Sequence, residues 1–395
     1  MSVYSMIVGF CNEMAAEWHQ YQRVNLTLTM YALFVRRSLV LSHLAQHFSL
    51  SQSSQRGKGR HVLWHKLKRL RRFLSNGRLT TGMEGTYQRL SYLALAVSDA
   101  PGRLVPILVD LTYMHPYAFL VASVNKGGRA LPIGWHAFRR DLVGEAVKSE
   151  NQLIDRLMAE VLARIPQSLT AVIVADREFA RATFFRALQQ LGRDFVVRVD
   201  RTTWVHHTSY VGAMGKLALA PGMHMRWLPQ SAYGQEERVP INLLVVWKRG
   251  YAEPWLLATS LADPKLVFPL YRSRMKIEHG FRDWKTHLRL RHTLRAENVA
   301  YVKGLLTVLA LLYWFIAICG LHWDSPRFRC RISCWGRPSF FKTALDLLFS
   351  ADALALATWP RILAWLNDKL RHLHPLPKLY LLRYRRHRPW LQLSG

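Results

Sequence analysis

Carboxylates set in apolar surroundings are the residues of this sequence best suited to chemistry. Ionised oxygens hold hard divalent cations well, and an unpaired carboxylate is costly to bury. Asp110 lies inside LVPILVDLTYM (Leu104 to Met114), a nearly continuous apolar run of the kind expected of a central strand covered on both faces. Asp176 repeats the situation at the end of LTAVIVADREF. Each calls for a metal ion, a salt partner or a strand end, and taken alone a salt bridge or cap is as good a reading as a ligand. Two carboxylates at the ends of adjacent central strands converge where α/β sheets bind ligands.

A third carboxylate stands in PLYRSRMKIEHGFRDWKTHLRL. Tyr271, Arg274, Glu278 and Lys285 fall within roughly 60° of one another at about 100° per residue, so they share one helix face, with Arg282 beside them. Leu270, Ile277, Phe281, Trp284 and Leu288 form a neighbouring stripe expected to face the core. The plain alternative is a surface helix with ordinary ion pairs between Glu278 and Arg274 or Arg282, each worth little.

The elements that must position these residues are an α/β set. After Leu104 to Met114 come strands over Tyr117 to Val124 and Ala130 to Phe138, joined by NKGG (Asn125 to Gly128), a turn that makes them antiparallel neighbours. An amphipathic helix over Ser149 to Arg164 ends before Pro166. A buried strand over Leu169 to Ala175 then delivers Asp176, followed by a helix over Arg177 to Leu191 and a strand over Asp194 to Asp200. From about 201 to 264 the texture is that of a β-rich insertion holding Trp204, Trp227, Trp247 and Trp255. Leu266 to Leu290 is expected to be helical, and so are Leu28 to Leu50 and Arg60 to Leu74 in the basic first hundred residues.

Lysine and arginine number 55 against 25 acids, a net charge of +30, which points to a polyanionic partner. With 50% apolar residues the chain is a folded body, not a basic tail. The stretch RGKGRHVLWHKLKRLRRF (Arg56 to Phe73) interleaves cations, among them Lys66, Arg69 and Arg72, with apolar residues, as a helix lying on phosphate would. A merely solvated basic face is the bland alternative, and the same holds for Arg383, Arg385, Arg386 and Arg388. Four cysteines imply no disulfide framework, and the start of the sequence shows no secretion signal. Cys319, His322, Cys330 and Cys334 lack a paired zinc knuckle. Gly304 to Leu321 reaches about 18 residues, the length at which a membrane span must be considered; a buried core helix is the preferred reading, with no membrane association.

The spacing Tyr271, two residues, Arg274, three residues, Glu278, six residues, Lys285 resembles the signature of the insertion-sequence-four family of DDE transposases. Asp110 in VDLT and Asp176 in ADRE are similar to that family's first and second aspartates, so the resemblance spans about Leu104 to Leu290. It implies an RNase H-like catalytic core, with a first part over 101–200 and a last part over 265–321, interrupted by the insertion at 201–264. A helical, basic DNA-end-binding region over 1–100 precedes it, and a basic, helical C-terminal region over 322–395 follows. It also implies Mg²⁺ or Mn²⁺ held by Asp110, Asp176 and Glu278, cleavage at the inverted repeats of an insertion sequence, and transfer of the freed 3′-hydroxyl ends to target DNA. Tyr271, Arg274 and Lys285 would contact phosphates, with Arg282 beside them on the same face, and an insertion tryptophan would stack on a flipped base. The partners implied are double-stranded DNA, at element ends and target, and a second copy of the chain in a homodimer on DNA. The setting implied is the bacterial cytoplasm, at the nucleoid. In one departure, relatives usually carry glycine where Glu178 stands, which raises Glu178 as an extra carboxylate near the metals. The competing reading is a DNA-binding relic that occupies ends without cutting them, which metal-dependent cleavage would exclude.

Overall fold

The computed structural model describes residues 1–48, 59–77, 79, 83–98, 104–140 without 115, a few positions between 151 and 159, and 170–371 without 218, 220–223, 249, 251, 289–297 and 333–337. The helix expected over 149–164 therefore lies mostly outside the described residues, although 151, 154, 155, 158 and 159 are helical, and Cys334 and the arginines of 383–388 lie outside them.

Helices α1 (Val3–Met14), α2 (Gln20–Arg36), α3 (Leu41–Gln46), α4 (Gly59–Leu74) and α5 (Glu84–Val97) build the first region. The helix expected from Leu28 onward starts earlier, where His19 caps it, and stops where Arg37 adopts a left-handed conformation (φ 46°). Strands β1 (Leu104–Met114), β2 (Tyr117–Lys126) and β3 (Arg129–Arg139) follow as an antiparallel meander. Gly127 and Gly128, at φ 53° and 77°, supply the two left-handed residues that a tight two-residue turn requires.

Strand β4 (Thr170–Ala175) returns parallel to β1, and after helix α6 (Ala182–Gln190) strand β5 (Asp194–Arg198) lies parallel to β4. The helix expected from Arg177 is interrupted. Asp176 caps a single 3-10 turn (Arg177–Phe179), and α6 begins only after Arg181, which Asp155 holds by an ion pair. The segment 201–264 contributes β6 (Trp204–His207), β7 (Tyr210–Ala213), β8 (Met225–Tyr233), β9 (Val239–Val246) and β10 (Trp255–Thr259). These extend the same sheet, in which the ten described strands run β3-β2-β1-β4-β5-β10-β9-β8-β6-β7.

Helices α7 (Pro264–Ser273) and α8 (Met275–Arg282) replace the one continuous helix expected over Leu266 to Leu290. At Arg274 the backbone tightens, with Arg274 N bonding Tyr271 O and Ile277 N bonding Arg274 O, and a wide π turn (Asp283–His287) follows α8. The apolar stripe still faces inward: Leu270, Ile277, Phe281, Trp284 and Leu288 are all buried.

Helix α9 (Val299–Trp323) has the length and apolarity of a membrane span, yet 94% of its most apolar window is buried inside the protein. Trp314 donates to Pro132 O on β3, and Trp135 of β3 donates to Thr307. At Gly304 a Cβ would stand 2.1 Å from Leu74 O, so α9 is notched to let α4 cross it. Helices α10 (Phe340–Phe349), α11 (Ala353–Ala357) and α12 (Trp359–Arg371) complete the cover.

Candidate active site

The parallel pairing of β1 with β4 sets the site. Leu108 lies opposite Val174. Two residues further on stand Asp110, still within β1, and Asp176, just past the end of β4, and both carboxylates reach Arg274. Each carboxylate is oriented by a backbone amide: Leu111 N donates to Asp110 Oδ1 and Glu178 N to Asp176 Oδ1, both at 2.9 Å. The second oxygen of each is thereby turned to the same point.

Arg274 occupies that point. Its Nη2 donates to Asp110 Oδ2 at 2.9 Å and to Asp176 Oδ2 at 3.0 Å, and its Nη1 donates to Glu278 Oε1 at 3.0 Å. One guanidinium thus gathers three carboxylates whose side chains grade from 8% exposed (Asp110) through 22% (Asp176) to 47% (Glu278), so the cluster opens to solvent on its Glu278 side. The Asp110 carboxyl is pushed up to about 7. Burial is the main cause, the Asp176 charge adds to it, and Arg274 opposes it. Three carboxyl groups thus share one guanidinium, and burial biases Asp110 among them toward its protonated form.

The other residues singled out by sequence are distributed around this cluster. Tyr271 is buried, edge-on to Trp255 at 5.2 Å, and burial pushes its hydroxyl up to about 12. Arg282 is exposed on α8, and Lys285 is half-buried in the π turn. Lys66, Arg69 and Arg72 lie on α4, where Arg69 donates to Asn25 on α2 at 2.8 Å and Arg72 is exposed. Trp204 and Trp247 are exposed, whereas Trp255 packs against Phe268 and Tyr271. The Glu178 carboxylate accepts a hydrogen bond from Tyr113 at 3.0 Å, and so is engaged outside the three-carboxylate cluster. Cys319 is buried within α9 and burial raises its thiol, while His322 packs on Trp365.

Sequence reasoning passed over two arginine groups. Arg177, Arg198 and Arg201, with Asp200 and Glu253, line a small cavity beside the cluster; the only signal was that Arg177 follows Asp176 directly. Arg129, after the glycine turn, makes an ion pair with Asp283 at 2.7 Å, a contact of charges more than an aligned hydrogen bond. Nothing in the sequence pairs residues so far apart.

Residues 139–315 match the family model of the transposase DDE domain. The match supports a DDE transposase. The transposase-like segment runs from the end of β3 into α9 and contains Asp176, Arg274 and Glu278, while Asp110 precedes it and joins them through the β1–β4 pairing. No curated protein matches the chain.

DDE transposases work with divalent metal ions, and the donor set here fits such an ion: three carboxylates, hard oxygen donors, converge on one positively charged group. Among the described residues no three acidic, histidine or cysteine side chains stand close enough, as placed, to hold one ion together. The Arg274 guanidinium lies between the carboxylates.

Proposed function

We propose that the chain is an insertion-sequence transposase of the insertion-sequence-four kind, in which Asp110, Asp176 and Glu278 are the catalytic, metal-holding carboxylates. The observation that carries this reading is the meeting of all three on Arg274. Three antiparallel strands followed by two parallel ones support an RNase H-like core formed by 101–200 and 265–321, with 201–264 as its insertion. The basic helical region 1–100 then binds element ends, and the +30 charge suits DNA as partner. Work in the bacterial cytoplasm, as a homodimer on DNA, belongs to the same reading.

The reaction is hydrolysis of one phosphodiester at the element end, which frees a 3′-hydroxyl, followed by attack of that hydroxyl on a target phosphodiester. Two Mg²⁺ or Mn²⁺ ions, when bound, would activate the attacking hydroxyl and offset the charge that develops at phosphorus. The chain's own contribution is position. The backbone bonds to Asp110 and Asp176 fix both carboxylates before DNA arrives, so little reorganisation is needed. Arg274, Arg282 and Lys285, ranged along α8 and the π turn, grip phosphates on either side of the scissile bond. Tyr271, buried against Trp255, anchors the turn from which Arg274 extends.

The test is incubation of the full chain with linear DNA bearing the element's own flanking inverted repeats, with Mg²⁺ or with chelator. Metal-dependent cuts at the element ends, with joined products, are expected. Tight binding of the ends without cutting, in Mg²⁺ and in Mn²⁺, would instead favour the DNA-binding relic.

A further inference from the structure

Arg274 has two roles to fill that exclude one another. The signature assigns it to phosphate, yet its guanidinium reaches Asp110, Asp176 and Glu278 at 2.9 to 3.0 Å and its side chain is only 12% exposed. It also stands where these carboxylates would hold a cation, and like charges at such separations repel strongly in a partly buried site. Its Nε is buried without a hydrogen-bond partner, so the guanidinium is imperfectly satisfied where it sits. It hangs from the tightened turn between α7 and α8, at the end of a long, many-rotamer side chain.

We infer that Arg274 is a placeholder for the metal: it holds the three carboxylates together and competes with divalent ions for them until a DNA phosphate draws the guanidinium away. Metal binding and DNA binding are then coupled through one side chain, and the chain without DNA holds metal weakly. An ion loaded at the carboxylates before DNA arrives would make the enzyme a stray nuclease, and the placeholder opposes that. Arg274 acts here as a positioning residue, because it fixes the carboxylates in one state and yields them in the other. The inference rests on the metal assignment proposed above.

The experiment is calorimetric titration of Mn²⁺ into the full chain without DNA, comparing the parent with Arg274→Ala. The variant is expected to bind Mn²⁺ at least about tenfold more tightly, because a competing charge at about 3 Å has been removed. Arg274→Gln keeps a polar, hydrogen-bonding side chain without charge, on a shorter reach; it should show the same gain and serves if the alanine variant does not fold. Equal or weaker Mn²⁺ binding in the folded variants would overturn the inference while leaving the metal site itself standing. Adding Glu278→Gln to either variant separates the two claims. Loss of the tight site upholds both, whereas tight binding unchanged by Glu278→Gln places the ion elsewhere and sinks both.

Discussion

Two buried aspartates lie near the same helix and each meets an arginine, yet they make different kinds of site. Asp283, 1% exposed, pairs with Arg129, with the Tyr313 hydroxyl at 3.4 Å and the His287 ring, which burial biases toward its neutral form, at 3.7 Å, so its charge is matched and sealed. Asp110 shares one cation with two further carboxylates, and that group opens to solvent at Glu278. Burial raises both carboxyls, Asp110 to about 7 and Asp283 to about 6, so a perturbed pKa does not separate them. Stoichiometry and access do. A balanced, closed pair ties the β2–β3 turn to the end of α8, whereas an unbalanced, open cluster is built to take up positive charge.

The comparison is broken most sharply by function. Asp110→Asn should lower cleavage by roughly a thousandfold or more, as removal of one metal-holding charge does to a reaction dependent on it, while its melting temperature stays level or rises because a buried surplus charge is gone. A melting temperature that falls with activity would reduce Asp110 to the structural class of Asp283. The reciprocal change, Asp283→Ala, strands Arg129 at 13% exposure and should cost about 3–5 kcal/mol in denaturant unfolding. Cleavage per folded molecule should fall far less than with Asp110→Asn.

Acidity sharpens the comparison further. Both aspartates have folded-state values above the ordinary 3.8, so the folded chain holds more protons than the unfolded one between these values. Their stabilising contribution is fully present below about pH 4 and is lost as pH rises through about 6 for Asp283 and about 7 for Asp110, at no more than about 1.4 kcal/mol per pH unit for each group. In unfolding followed across that range, Asp110→Asn should flatten the upper part of the decline, and so should Mg²⁺ added to the parent. The lower part should remain. A decline that steepens with Mg²⁺ would contradict metal binding at Asp110. The smallest expected effect concerns packing away from both sites. Gly304→Ala places a methyl 2.1 Å from Leu74 O and should cost about 1–3 kcal/mol with cleavage otherwise intact.

Much of this was legible in the chain. The apolar runs around Asp110 and Asp176 marked buried strands, with Asp176 at a strand end and Asp110 within one; the NKGG turn marked a hairpin, and the helical period placed Arg274 and Glu278 one turn apart, where their side chains do meet. Less legible was what depends on distant partners. That Asp110 lies beside Asp176 requires β4 to skip β2 and β3 and pair with β1, a choice made by the whole sheet. The tightened turn at Arg274 and the π turn after α8 shift the helix phase by fractions of a turn, which uniform periodicity does not register, and Tyr271 is buried against Trp255, a partner sixteen residues earlier. The apolar composition of α9 suits a span and a core helix alike, and its burial depends on distant partners such as Leu74, at the end of α4, which meets Gly304.

The central claim is that Asp110, Asp176 and Glu278 act as one metal-holding group. Its most direct test is Mg²⁺-dependent cleavage of DNA carrying the element's ends by Asp110→Ala, Asp176→Ala and Glu278→Ala, each checked for folding and for end binding. Loss of cutting in all three, with DNA binding retained, is the result expected. A folded variant of any one that still cuts at the parent's rate would contradict the claim.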